Sequence, residues 1–173
     1  MTVSPVRHAL HAGILLALLA VAVYLPFQVF GVIPYTRTYS VPEAQVAALL
    51  AGTELPDYYA LPVPVVSPGE RQLRQQDFLW CRFCHTLQAG EGHRVGPNLH
   101  RIVGRPAGVV SGFAYSRGFL EARDNGVIWT PETLDSFLSD PHHYVPGNRM
   151  RLAPITNADQ RQRVIATLLE ATR

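Results

Sequence analysis

The sequence predicts an all-α protein in which one long apolar helix precedes a single compact helical domain. Three observations predict it. From Ala9 to Ile33 there is no Asp, Glu, Lys or Arg over 25 positions. Helix start signals recur through the C-terminal two thirds of the chain. No run of alternating β-branched residues reads as a strand. With 47% hydrophobic and 16% charged residues, the 173-residue chain is apolar for a small soluble protein, so something besides a globular core is expected.

The first element is the charge-free run itself. It exceeds the roughly 20 apolar residues that span a bilayer, and Pro26 and Gln28 fall toward its far end, where a kink is tolerable. Tyr24 and Tyr35 suit the headgroup boundary. The competing reading is a cleaved secretory signal, with Arg7 as its basic end and Ala20-Val21-Ala22 as the cleavage site. Against it, apolar residues continue past Ala22 through Val23, Leu25, Phe27, Val29, Phe30 and Ile33, so a retained anchor over residues 1–33 is the expectation. Either way, everything after residue 34 is exported.

Residues 34–69 form a proline-rich juxtamembrane linker, with Pro34, Pro42, Pro56, Pro62, Pro64 and Pro68. Prolines at that density exclude one continuous helix or sheet. Within it, Ser40-Val41-Pro42-Glu43 reads as a capping box, and Val46, Leu49, Leu50 and the stop at Gly52 predict a short helix near 41–51. The segment from Asp57 to Val66 is too apolar for a solvated tether and must lie against either its own domain or a partner subunit.

The C-terminal domain is expected over 70–173, a normal size for one domain. Its first helix should cover Glu70 to Phe83, with Leu73, Phe78 and Leu79 available for burial. Further helices are expected over Ser111 to Arg123, over Thr130 to Ser139 with Pro131 at the first helical position, and over Asn157 to Ala171.

The densest chemical signal ends the first of these helices. Cys81 and Cys84 are the only cysteines, and with His85 they make a C-x-x-C-H pattern, which reads as a site of covalent c-type haem attachment. Two thiols three positions apart on one helical turn can add to the two vinyl groups of a haem, while the next residue offers its imidazole to the iron. A zinc site would need His93, His100 or the His142-His143 pair to replace a missing second cysteine pair. A thioredoxin-like redox pair should follow a strand that is not there. All 15 basic residues are arginine and the net charge is +2, which excludes lysine chemistry and gives no support to nucleic-acid binding.

Cys81 to His85, then Gly96-Pro97-Asn98-Leu99-His100-Arg101-Ile102-Val103-Gly104-Arg105, Phe113-Ala114-Tyr115-Ser116, Trp129 and Val145-Pro146-Gly147-Asn148-Arg149-Met150 together resemble a class I, mitochondrial-type mono-haem cytochrome c. The resemblance runs from about residue 70 to the C-terminus, with its elements in the family's order. It implies several helices wrapped around one covalently bound haem c, with His85 and Met150 as the iron's ligands. It assigns the backbone carbonyl of Pro97 to the second ring nitrogen of His85, and Arg105, Tyr115 and Trp129 to hydrogen bonds near the haem propionates. Met150 and the initiator are the only methionines, so no other thioether is available to the exported domain; His100, His142 and His143 are the rival ligands. Phe78 and Leu168 are expected where the first and last helices cross. Three positions depart from the pattern: Phe137 stands for a tyrosine, Asn148 for a threonine and Arg149 for a lysine.

A His/Met pair leaves no open coordination position and suits electron transfer over oxygen or peroxide chemistry. The expectation is therefore an electron carrier and no enzyme, single-pass in a bacterial inner membrane with its haem domain on the periplasmic side. Its N-terminal helix would contact lipid. Its partners would be membrane-bound or periplasmic redox proteins such as a quinol-oxidising cytochrome bc complex, a terminal oxidase, a photosynthetic reaction centre or a dehydrogenase. It would serve as a tethered shuttle or as a fixed haem c subunit of a larger complex; a haem-based sensor or peroxidase is the alternative if Met150 is not a ligand. Over residues 81–105 and 145–153, Arg82, Arg94, Arg101, Arg105, Arg149 and Arg151 face one acid, Glu91. That local excess of positive charge suits docking to an acidic partner.

Overall fold

A computed structural model describes the backbone of residues 5–30 and 41–173, and side chains of residues 9–25 and 41–173. The chain divides into two compact units, Met1–Arg37 and Thr38–Arg173.

The first unit holds α1, Pro5–Phe30. Its described side chains, residues 9–25, are all exposed and none is charged. Among the described residues no helix is long and apolar enough to cross a membrane, and the span expected from Ala9 to Ile33 is to that extent not found. Residues 31–33 of that span, with Tyr35 and the Ser40 of the expected capping box, lie outside the described residues.

The second unit contains α2 (Glu43–Leu49), α3 (Pro68–Cys84), α4 (Arg117–Asp124), α5 (Pro131–Ser139), α6 (Pro141–Tyr144) and α7 (Ala158–Ala171). Its only β feature among the described residues is an isolated bridge between Pro106 and Ile128. Helices α3, α5, α6 and α7 begin at side-chain caps, whereas α2 and α4 show none. Ser67 accepts from the Glu70 amide ahead of Pro68 at the first turn of α3. Thr130 and Thr133 cap α5 reciprocally, and Asn157 accepts from the Gln160 amide at α7. Each satisfies amides that the first turn leaves unpaired.

Two expectations are corrected. The helix predicted over Ser111 to Arg123 is confined to α4, because Gly112 adopts a φ of +80° and ends any helical path through 111–113. Of the three residues offered for burial on α3, only Phe78 is buried; Leu73 and Leu79 are 46% and 50% exposed. At 3.6 residues per turn, Phe78, Arg74 and Cys81 share the inward face, whereas Leu73, Leu79, Trp80 and Phe83 point the other way.

The core forms where α3 and α5 pack on α7. Phe78 joins Val164, Ile165 and Leu168 of α7 with Leu134, Phe137 and Leu138 of α5. Polar pairs seal the rim: Arg163 Nε donates to Asp77 Oδ2 at 2.6 Å between α7 and α3, and Arg161 makes a two-pronged pair with Asp135 between α7 and α5. Aromatic rings fill the other half, Trp129 lying 5.1 Å and Phe119 6.0 Å from Phe137, centroid to centroid.

The linker is part of this unit. Val41 and Val46 pack with Val109 in a small second cluster. Tyr59 enters the main core, where its hydroxyl accepts from the Val103 amide and meets Thr172 Oγ1. Arg101 stacks 4.6 Å over its ring. The segment from Asp57 to Val66 is thereby split: Tyr58 and Tyr59 lie against their own domain, whereas Leu61, Val63 and Val65 stay exposed.

Candidate functional site

α3 ends at Cys84, and His85 turns out of the helix into extended backbone (φ −126°, ψ 146°) while its amide still donates to the Cys81 carbonyl. Cys81 and Cys84 therefore sit three positions apart on the last turn, both half-buried and neither in a disulfide. Burial pushes the Cys81 thiol up to about 11. A thiol protonated at neutral pH is a poor redox nucleophile, which counts against the redox-pair reading.

The exit turn aims His85. Its Nδ1 lies 2.7 Å from the Pro97 carbonyl oxygen; that oxygen can only accept, so Nδ1 carries the proton and Nε2 presents its lone pair. Burial lowers the imidazole pKa, with the Pro97 contact acting the other way. Ring nitrogens that ligate a metal are usually fixed in this manner by a second acceptor. Gly96 lies against the ring, and a Cβ there would overlap the His85 Cε1. The Gly96 amide also donates to the Cys84 carbonyl at 2.7 Å, tying the two segments together.

Met150 is half-buried against the main core. The turn before it is built by Asn148, which is 6% exposed. Asn148 Nδ2 donates to the Pro141 and Val145 carbonyls, and its Oδ1 accepts from the Met150 amide at 2.8 Å. Gly118, on the first turn of α4, packs so closely on the Pro146 carbonyl that no side chain fits there. Asn148 in place of threonine thus acts on the backbone of the methionine turn. Phe137 in place of tyrosine is buried among Trp129, Phe119 and Tyr144.

A third group lies around Arg105. Its backbone is fixed to Trp129 by the pair Gly104 N–H to Trp129 O and Trp129 N–H to Arg105 O. Trp129 is buried, and desolvation raises the hydroxyl pKa of half-buried Tyr115. Arg105 Nη2 donates to Glu43 of α2 at 2.8 Å, while its Nε is buried without a hydrogen-bond partner, as is Ser116 Oγ. Buried donors of this kind need an acceptor that the chain itself does not supply.

The other histidines differ in setting, His100 having its Nδ1 buried and without a hydrogen-bond partner. His93 is held on both nitrogens, donating to the Ser111 carbonyl and accepting from the Asn98 amide. His142 and His143 are exposed on α6. Half-buried His100 lies on the Arg105 side, in the grooves lined by the linker. Among the described residues no group of three or more His, Cys, Asp or Glu side chains converges as a metal site, so the zinc half-site has no completing ligands there.

The donor set fits a covalently bound haem. Two adjacent thiols, an imidazole aimed by a carbonyl, a thioether on a rigid turn and a buried guanidinium N–H without an acceptor match the groups that such a cofactor presents. Sequence reasoning named Cys81, Cys84, His85, Pro97, Arg105, Tyr115, Trp129 and Met150 for this site. It read Glu43 only as part of a capping box, whereas α2 has Pro42 at its N-cap with no side-chain cap and Glu43 reaches Arg105, and it did not foresee the close packing of Gly118. A linker carboxylate carries no signal of what it reaches across 62 residues, and a glycine in a helix's first turn gives only a weak one.

No family model matches the chain. It is 35% identical over 106 residues to a cytochrome c of Ginkgo biloba, covering 61% of this chain and 91% of that protein. It is 39% identical over 104 residues to a cytochrome c2 of Agrobacterium tumefaciens, 60% of this chain and 89% of the relative. A cytochrome c of Kluyveromyces lactis is 30% identical over 113 residues, covering 65% of this chain and the relative's whole length.

Proposed function

From the premise that the chain belongs to the mono-haem class I cytochromes c, we propose that it is a membrane-tethered carrier of single electrons between membrane-bound or periplasmic redox proteins. As a c-type cytochrome it carries one covalently attached haem c. The group supplies a one-electron iron couple when bound.

The chain's own residues do the rest. Cys81 and Cys84 would hold the haem through thioethers, and His85 would offer Nε2 to the iron while Pro97 fixes the ring. Met150 would offer its thioether from the turn that Asn148 braces. Arg105, Tyr115 and Trp129 would serve the propionates. The observation that carries this reading is the His85–Pro97 bond, with Gly96 pressed against the ring. It fixes one tautomer and one ring orientation for an imidazole directly after two reduced cysteines.

The tether is supported by the uncharged run from Ala9 to Ile33 and by the exposed apolar side chains described over residues 9–25 of α1. That placement would put the domain on the periplasmic side of a bacterial inner membrane, with α1 in contact with lipid. The docking face is supported by exposed Arg82, Arg94, Arg149 and Arg151, and by Trp80 and Phe83, which lie 5.4 Å apart beside the cysteine turn. Arg101 and Arg105 are instead drawn to linker acids, Asp57 and Glu43.

The experiment is Met150→Ala in the haem-loaded protein. Haem should remain attached, the weak sulfur-to-iron absorption band of the oxidised form should vanish, and carbon monoxide should bind the ferrous form. A parent that lacks the band, or a variant that binds carbon monoxide no better than the parent, would show that another residue is the sixth ligand.

A further inference from the structure

Glu43 belongs to the linker helix α2 and lies outside the residues that resemble the cytochromes c, yet it reaches the guanidinium of Arg105. The pair is Arg105 Nη2 to Glu43 Oε1 at 2.8 Å. The Glu43 side chain is 78% exposed while that of Arg105 is 30% exposed, so the carboxylate approaches from the solvent side. Arg105 Nε is buried and without a partner. A guanidinium is a planar fork, and holding one of its nitrogens constrains the direction of its other N–H bonds.

α2 is itself fixed. Val46, 4% exposed, and Val41, 3% exposed, pack on Val109, which is 1% exposed. The backbone of Arg105 is separately locked to Trp129. An exposed ion pair of this kind contributes little stability; its geometry is what matters here.

We propose that Glu43 is a positioning residue for the haem carboxylates. By holding Arg105 Nη2 it fixes the guanidinium plane and with it the buried Nε–H, which is left for a propionate, so that docking of the linker helix sets the protonation of that propionate. The proposal rests on the haem reading of the site. A propionate paired with a held guanidinium stays ionised across neutral pH in both iron states. Released from that partner, it takes up a proton as pH falls, and loss of its negative charge makes the potential more positive on the acid side.

Other titratable groups surround Arg105: Glu91, His93 and His100 on one side, Asp57, Tyr58 and Arg101 on the other, and Tyr115 nearby. Titration of any of them would be present with or without Glu43, so the test compares variants with the parent.

The test is the midpoint potential of the haem-loaded full chain as a function of pH, by spectroelectrochemistry. The parent should be flat across neutral pH. Glu43→Ala should introduce a step, more positive on the acid side. Glu43→Gln, which keeps an acceptor for Arg105, should remain flat. Val46→Asp, which undocks α2, should reproduce the step, and a flat profile there would overturn the role of helix docking. A Glu43→Ala profile superimposable on the parent's would overturn the proposal. Arg105→Ala separates the two levels. If it steps while Glu43→Ala does not, only the role of Glu43 fails; if it too is flat, the assignment of Arg105 to a propionate fails. Haem absorbance per polypeptide confirms that each variant is loaded and folded.

Discussion

Asn148 shows how one side chain can set the position of another without touching its functional atom. Its amide satisfies two carbonyls, of Pro141 and Val145, and receives the amide of Met150. Truncation would strand the Met150 amide and leave the Pro141 and Val145 carbonyls with one backbone donor each, in a nearly buried turn. Asn148→Ala is accordingly expected to cost about 2–3 kcal/mol, read as a lower denaturant midpoint, and to weaken the methionine–iron absorption band in the loaded protein. An unchanged midpoint with an intact band would mean that Pro146-Gly147 alone shapes the turn. Gly96 and Gly118 act in the opposite sense, through the side chain each lacks, one admitting the His85 ring and the other the Pro146 carbonyl.

At the scale of elements, α7 is the post on which α3 and α5 are mounted, and the Asp135–Arg161 fork is its most testable joint. Arg161 Nε and Nη2 reach Asp135 Oδ1 and Oδ2 at 2.9 and 3.1 Å, and its Nη1 holds the Ile155 and Thr156 carbonyls. The Arg161 hydrogen bond, more than its charge, holds the Asp135 carboxyl below the ordinary aspartate range. A group whose pKa is depressed on folding stabilises fully above its unfolded value and loses that contribution as pH falls through its folded value. Asp135→Asn should therefore lower stability by about 1–2 kcal/mol at neutral pH. The gap to the parent should close as pH falls below about 4, as followed by thermal melts over a pH series. A constant gap would place the cost in packing.

The α5 and α7 boundaries were legible because caps are local: Thr130-Pro131 and Asn157 announce themselves within one turn. The haem-clamp motif was legible because its chemistry demands a fixed spacing. The inward face of α3 was not, since Leu73, Phe78 and Leu79 are equally apolar and only the approach of α7 selects Phe78. Nor was the start of α4, where a positive φ at Gly112 removes a turn that the pattern allowed. The seating of Tyr59 depends on contacts with Val103 and Thr172, 44 and 113 positions away, which no local pattern encodes.

Across the whole second unit, the linker and the C-terminal end clasp each other. Tyr59 meets Thr172, and Arg173 donates to the carbonyls of Tyr59 and Leu61. Thr172 Oγ1 is already donating to Leu168, so the Tyr59 hydroxyl donates to it while accepting from Val103. Tyr59→Phe removes both bonds and strands a buried amide; a loss of about 1–3 kcal/mol is expected, read from denaturant unfolding. An unchanged midpoint would mean that water replaces the hydroxyl. The charge pattern makes its own prediction at this scale. With Arg101 and Arg105 paired to the linker, the attraction of the proposed acidic partner would fall to Arg82, Arg94, Arg149 and Arg151. The association rate with such a partner should fall steeply as ionic strength rises, because salt screens charges separated by more than about 8–10 Å. A rate indifferent to salt would assign docking to Trp80 and Phe83 alone.

The seat of Tyr59 also defines a path for mechanical load. A load on the N-terminal side of this unit would reach Val41 and Val46 first and then the Tyr59 peg with its Arg101 lid, with Arg173 holding the Leu61 carbonyl just beyond it. The cysteine turn lies at the far end of α3, beyond all of these contacts.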